Sequence, residues 1–158
     1  MNQKLFEEKI EFRGHPNIRG THRNTLEITR ATEISIRADC IIGVKASAAC
    51  NDLSEPMKCH IRSGRRLLFE LRVDREVFSF FGRGIKELPL TNQGELVIRR
   101  SEFRSDRTAA GHCEAAALDV PRTMISRLRS SETKGFLIIS AINDIDPPPV
   151  LSLTLLES

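Results

Sequence analysis

The chain has 158 residues and a formal charge of +3, the size of one ordinary domain that buries about two thirds of the surface its unfolded chain exposes. That charge is too small to argue for nucleic acid by itself, and no apolar run approaches the roughly 20 residues a membrane-crossing helix needs. Cys40, Cys50, Cys59 and Cys113 lack the close pairing of a zinc ribbon or redox centre, and the first residues carry no signal-peptide apolar core, so a single intracellular, cytoplasmic and reduced domain spanning 1–158 is expected.

The chain opens on LFEEKIEFRG, where Phe6, Glu8, Ile10 and Phe12 fall on one strand face and Leu5, Glu7, Lys9, Glu11 and Arg13 on the other. Gly14-His15-Pro16-Asn17 breaks this strand, since proline has a fixed φ and no N–H while glycine and asparagine tolerate turn geometry. THRNTLEITR, 21–30, alternates again. Leu26 and Ile28 mark its core face, so a period of two places His22 and Asn24 inward, with Thr21, Arg23, Thr25, Glu27 and Thr29 outward.

ISIR and CIIGVKA read as short strands divided by Ala38-Asp39. An alanine-rich connection leads to SEPMKCHIRS, a short helix with Ser54 as cap and Glu55 and Pro56 in its first turn. RLLFELRV puts Leu67, Phe69, Leu71 and Val73 inward and returns through an Asp74-Arg75 turn into its hairpin partner VFSFFG. RGIKELPLTNQG, 83–94, has no period and reads as a connection. LVIRR is a strand, FRSDRTAAGHCEAAA takes the place of a strand and loop, and Asp119 with Pro121 opens a helix whose stripe is Met124, Ile125 and Leu128. GFLIISAIN is apolar on both faces, hence central, and VLSLTLL is a terminal strand.

Residues 37–63 return, diverged, at 104–130. A shift of 67 residues superposes Arg37 on Arg104, Asp39 on Asp106, Ala48-Ala49 on Ala115-Ala116, Asp52 on Asp119, Met57 on Met124 and Arg62-Ser63 on Arg129-Ser130, the mark of an internal duplication. The expected fold is mainly β, α+β by count. Two β-β-α-β-β halves, 31–82 and 95–157, would form a pseudo-two-fold β-sandwich or closed barrel with two short helices, the strands of 1–30 leading.

GHPNIRGTHRNTLEITR, followed nine residues later by DCIIGVKAS, resembles the opening of the archaeal domain of unknown function family 371. Its members share a Gly-His-Pro-Asn, Thr-His-Arg, Thr-Leu-Glu pattern and an Asp-Cys-Ile-Ile-Gly-Val strand. RRSEFRSDR and AAALDVPR correspond to further family features, while Ala38 stands where members commonly have glycine. The resemblance implies a mainly β, sandwich-like domain with no assigned activity or cofactor.

The candidate binding residues are His15, Asn17, His22, Arg23, Asn24, Arg37 and Asp39. Inward polar groups at a strand start, beneath the Gly14-to-Gly20 loop and beside arginine, suit a small polar or anionic ligand. That makes a binding module the first reading, with the cofactor unknown. The rival is a small metal-assisted enzyme using His15, His22 and Asp39, imidazole and carboxylate being suitable ligands although their spacing is no known metal signature. A third reading gathers Arg62/Arg65/Arg66, Arg99/Arg100/Arg104/Arg107 and Arg122/Arg127/Arg129 on one face for nucleic acid. The interspersed acids and the absence of tryptophan and tyrosine count against it. A homo-oligomer is compatible with all three. His112-Cys113-Glu114 is a poor nucleophile arrangement, because strand neighbours point to opposite faces, and Gly82-Arg83-Gly84 lacks the lysine and helix of a phosphate loop.

Overall fold

A computed structural model of the protein describes residues 3–143. The predicted terminal strand VLSLTLL lies outside the described residues. Eight strands and two helices follow in the order β1 (Gln3–Arg13), β2 (Thr25–Thr29), β3 (Ile41–Gly43), α1 (Glu55–Arg62), β4 (Arg66–Val73), β5 (Glu76–Arg83), β6 (Glu95–Arg99), β7 (Thr108–Ala110), α2 (Arg122–Leu128) and β8 (Lys134–Asn143). A short 3-10 turn precedes each helix, at Cys50–Asp52 and Ala117–Asp119.

Hydrogen bonding sorts the strands into two four-stranded sheets, β1-β8-β4-β5 and β3-β2-β6-β7. The first is wholly antiparallel; in the second β2 and β6 are antiparallel while β3 and β7 run parallel to their neighbours. Isolated bridges, Arg13 with Val44 and Arg83 with Gly111, tie β1 to the end of β3 and β5 to the end of β7. These join the sheets at two corners without closing a ladder, so between sandwich and barrel the fold is a sandwich.

Local chemistry explains the elements. Leu67, Phe69, Leu71 and Val73 on β4 and Ile10 and Phe12 on β1 are almost fully excluded from solvent, as their alternation requires, and they meet Leu26, Ile28, Leu96 and Ile98 of the other sheet in one core. β8 lies between β1 and β4 and buries both faces. Ser54 Oγ accepts the Met57 N–H at 3.2 Å and starts α1 with Pro56 in its first turn. Met124, Ile125 and Leu128 of α2 are buried. Asp119 does not cap that helix: its carboxylate accepts the Ala116 N–H at 2.9 Å and closes the 3-10 turn, as Asp52 does with Ala49.

Two expectations need correction. ISIR forms no strand but irregular chain leading into a turn, because Ser35 Oγ takes the Arg37 N–H locally. The strand through 21–30 begins only at Thr25, so His22 and Asn24 precede it, Asn24 exposed and His22 half-buried, rather than pointing into the core.

The succession β-β-β-α-β runs twice, over 3–73 and 76–143. The recurring order of elements therefore reaches further towards the N-terminus than the sequence match that begins at Arg37. β1 and β2 hold the places that β5 and β6 hold in the second unit. The sequence conceals this because β1 and β5 share little beyond inward-facing Ile10 and Phe80 and the Arg-Gly step at their ends.

Candidate functional site

The segment after β1 is held by its polar side chains. His15 is buried; its Nδ1 accepts the Asn17 N–H at 3.0 Å, so the ring proton sits on Nε2 and meets Glu33 Oε1 at 2.9 Å. Both ring nitrogens are spent, which leaves no lone pair for a metal or a substrate proton. The Asn17 amide donates to the Ile34 carbonyl at 2.8 Å. Together with Glu33 and Lys45 these residues line a cleft of about 360 Å³.

The other predicted residues lie elsewhere. His22 Nδ1 accepts the N–H groups of Asn24 and Thr25, both at 3.1 Å, and its carbonyl accepts from Leu118. The carbonyls of Arg23 and Asn24 receive the Arg100 side chain and N–H. Arg37 is exposed, and the Asp39 carbonyl anchors the N–H groups of Thr21 and His22 at 3.0 and 3.2 Å. Asp39 and His22 are thus brought together through backbone, apart from His15. Among the described residues no three His, Cys, Asp or Glu side chains converge as metal ligands. His15, His22 and Asp39 form no such trio.

A second cleft occupies the equivalent place in the second half. Gly84 stands where Gly14 does, and His112 stands at the position of Lys45, both in the left-handed region with φ of 50° and 53°. Arg83, Lys86, Glu102 and Arg104 line it with His112, in about 220 Å³. An adjoining cleft of about 280 Å³ shares Arg83 and His112 and adds Arg66, Phe81 and Glu114. His112 Nε2 lies 2.7 Å from Glu102 Oε2, the Arg66 guanidinium stacks 4.5 Å above the Phe81 ring, and Arg104 Nε donates to the Lys86 carbonyl at 3.1 Å. Among the described residues, five basic side chains and two carboxylates line the two clefts. Sequence reasoning set Gly82-Arg83-Gly84 and His112 aside and missed Lys86 and Phe81. The available signal was the repeat itself, which puts Lys45 and His112 in register.

A third polar cluster sits on the outer side of the second sheet. Glu27, predicted to face water, has a side chain only 4% exposed, because Cys40 and Arg107 close over it. Arg107 Nη1 bonds Glu95 Oε1 at 2.6 Å and approaches Glu27 Oε1 at 3.6 Å, while Cys40 Sγ lies 3.5 Å from the same oxygen. Burial, reinforced by Glu95 and opposed by Arg107, pushes the Glu27 carboxyl up to about 7. Burial also pushes the thiols of Cys40, Cys50 and Cys113 up to about 12, Glu27 adding to the effect at Cys40. Protonated thiols are poor nucleophiles.

Most of the predicted arginine face is consumed within the fold. Arg62 and Arg129 donate to the Leu88 and Ile18 carbonyls, Arg122 to those of Ala117, Leu118 and Val120, and Arg127 pairs with Asp74. Arg100 pairs with Asp119 at 2.5 Å. The Ala116 N–H, then Arg100, hold that carboxylate below its ordinary range. No helix among the described residues is long and apolar enough to cross a membrane.

An open mainly β sandwich built of two like-ordered halves, with clefts at its corners, is the class that fold and site define. The chain belongs to the family described as domain of unknown function DUF371, whose model matches residues 10–142. It is 32% identical over 130 residues to Uncharacterized protein MJ0206 of Methanocaldococcus jannaschii, a match that covers 82% of this chain and 96% of the relative.

Proposed function

We propose that the protein is a cytoplasmic binding module for a small anionic ligand, seated in the second-half clefts. The supporting observation is that Lys86, Arg104 and His112 line one cleft with Glu102 as its carboxylate among the described residues, and that His112 is shared with the adjoining cleft. Arginine and lysine there supply charge-assisted hydrogen bonds. The first-half cleft is the weaker candidate, because its imidazole is committed to Glu33 and to the Asn17 N–H. On the same ground of matched elements we infer that the halves descend from one duplicated unit, the second having acquired the cationic set.

Calorimetric titration with inorganic sulfate tests the assignment. Lys86→Ala and His112→Asn, the latter chosen because asparagine tolerates the left-handed backbone, should each weaken binding about tenfold, the worth of one charge-assisted contact. His22→Asn should leave it unchanged. Sulfate binding indifferent to Lys86 and His112 would overturn the reading.

A further inference from the structure

We propose that the protein self-associates through the outer edge of β5, two copies pairing that strand antiparallel about a two-fold axis at Phe78. The pairing does not depend on whether the clefts bind an anion.

β1 and β5 are the two edges of the first sheet. Along β5, successive residues turn their N–H and C=O groups alternately towards β4 and away from it. Arg83 and Phe81 face away: Arg83 exchanges backbone hydrogen bonds with Gly111, and Phe81 is held by the backbone N–H and the carboxylate of Glu114, each bond at 2.9 Å. β5 keeps an unbroken register with β4, so Ser79 and Val77 face away as well, and there nothing among the described residues meets their backbone groups. Both are exposed, Val77 by 59%. β1 has the corresponding gap at Lys9 and Glu7, since Arg13 and Glu11 are met by Val44 and Ser47. The charged side chains of Lys9 and Glu7 guard that edge, whereas no charge interrupts β5 between Glu76 and Arg83. An uncharged open edge is where another strand adds to a sheet.

The length of the opening fixes the register. Val77 pairs with Ser79 of the second copy and Ser79 with its Val77, each pair exchanging two hydrogen bonds. Shifting one way sets Val77 against Phe81, already held by Glu114, and shifting the other way sets Ser79 against Arg75 in the turn. The axis then passes through Phe78, which packs against the core with its ring centre 5.5 Å from that of Phe80. The two Phe78 side chains meet across it as a close non-hydrogen-bonded pair. The same register sets exposed Arg75 of each copy opposite Phe81 of the other, where the Glu114 carboxylate stands. Two-fold symmetry makes this charge pair twice. It also closes the assembly as a dimer, whereas β5 on β1 would run on into fibres.

Sedimentation of the full chain from about 10 μM to about 1 mM measures the association. A contact this small belongs to the transient class, so dimer should appear towards the upper end of that range. Val77→Lys puts a charge on the open edge and should weaken the dimer about tenfold or more. Arg75→Glu, which sets like charges opposite each other at both ends of the contact, should weaken it about tenfold. Lys9→Ser on β1 should leave it unchanged. Hydrogen exchange should show the amides of Val77 and Ser79 protected at high concentration and open at low, with those of Glu7 and Lys9 the same at both. A chain monomeric throughout would overturn the proposal, as would a dimer indifferent to Val77→Lys and Arg75→Glu, or one whose newly protected amides lie on β1.

Discussion

His22 and Asn92 stand at matching places in the two halves and use different atoms for one task. His22 Nδ1 accepts the N–H groups of Asn24 and Thr25, and Asn92 Oδ1 accepts those of Gly94 and Glu95 at 2.9 and 2.8 Å. Each gathers the backbone donors that would be orphaned where β2 or β6 begins, in the manner of an Asx turn. His22→Asn should therefore keep full stability, while His22→Ala should cost about 1–2 kcal/mol in urea denaturation. Equal losses in both variants would show that the imidazole serves something other than this turn.

At Glu27 the sign of pH dependence is opposite to that of an ordinary paired carboxylate. Its folded value, about 7 against 4.5 when unfolded, means that the native state holds the proton more tightly. Stability contributed by this group is full below about pH 4.5, falls as pH rises towards 7 and is flat above. Melting temperatures of wild type should decline across that window more steeply than those of Glu27→Gln, and parallel slopes would refute the buried-acid assignment. Neither residue was legible in sequence for its true part. Extending a period of two back from Leu26 misplaced His22, whose backbone had already left the strand. Glu27 alternates as an outward residue should, and only Cys40 and Arg107, distant in sequence, make that side dry.

At the scale of elements, what could be read in advance was whatever depended on near neighbours. The inward row of β4, the Ser54 cap of α1, the Met124-Ile125-Leu128 stripe and the central place of β8 all follow from spacing within a single segment. Contacts between elements do not, because they are made to backbone. Arg62 and Arg129 looked like members of a charged face, yet each reaches a carbonyl in the opposite half, Leu88 at 2.9 Å and Ile18 at 3.2 Å. The ends of β1 and β5 dock on the opposite helix in the same crosswise manner. The His15 N–H donates to the Leu128 carbonyl at 2.8 Å. A Cβ on Gly14 would lie 2.2 Å from the Ser130 oxygen and 2.3 Å from that of Leu128, and one on Gly84 2.0 Å from the Ile61 oxygen. Rigid carbonyls cannot yield that distance, so Gly14→Ala and Gly84→Ala should each cost about 3 kcal/mol or more. Gly94→Ala, whose Cβ would meet nothing nearer than 3.8 Å, should stay within about 1 kcal/mol. Chemical denaturation of the three variants checks this, and a mild Gly14→Ala would mean that the β1–α2 junction is looser than described.

For the whole molecule the decisive fact is which strands pair. β1 pairs with β8, β8 with β4, β4 with β5 and β2 with β6, and every one of these ladders joins the first half to the second. Among the described residues, the pairings within a half are the short parallel ladders β2–β3 and β6–β7 and the single bridges Arg13–Val44 and Arg83–Gly111. A lone half would keep its helix and its apolar rows with nothing to bury them against, and two-stranded fragments of that length are not stable in water. The recurring order of elements thus does not mark a unit of folding. The full chain should unfold in one transition, with calorimetric and van't Hoff enthalpies equal. A fragment ending at Asp74 should show no cooperative melt at low concentration and should regain structure when mixed with the remainder of the chain. Self-association of that fragment at high concentration is compatible with the argument, since a second copy would offer β4 to β1 where β8 normally lies. A cooperative melt of the monomeric fragment would defeat it, for the strands would then have partners other than the crosswise ones on which both clefts depend.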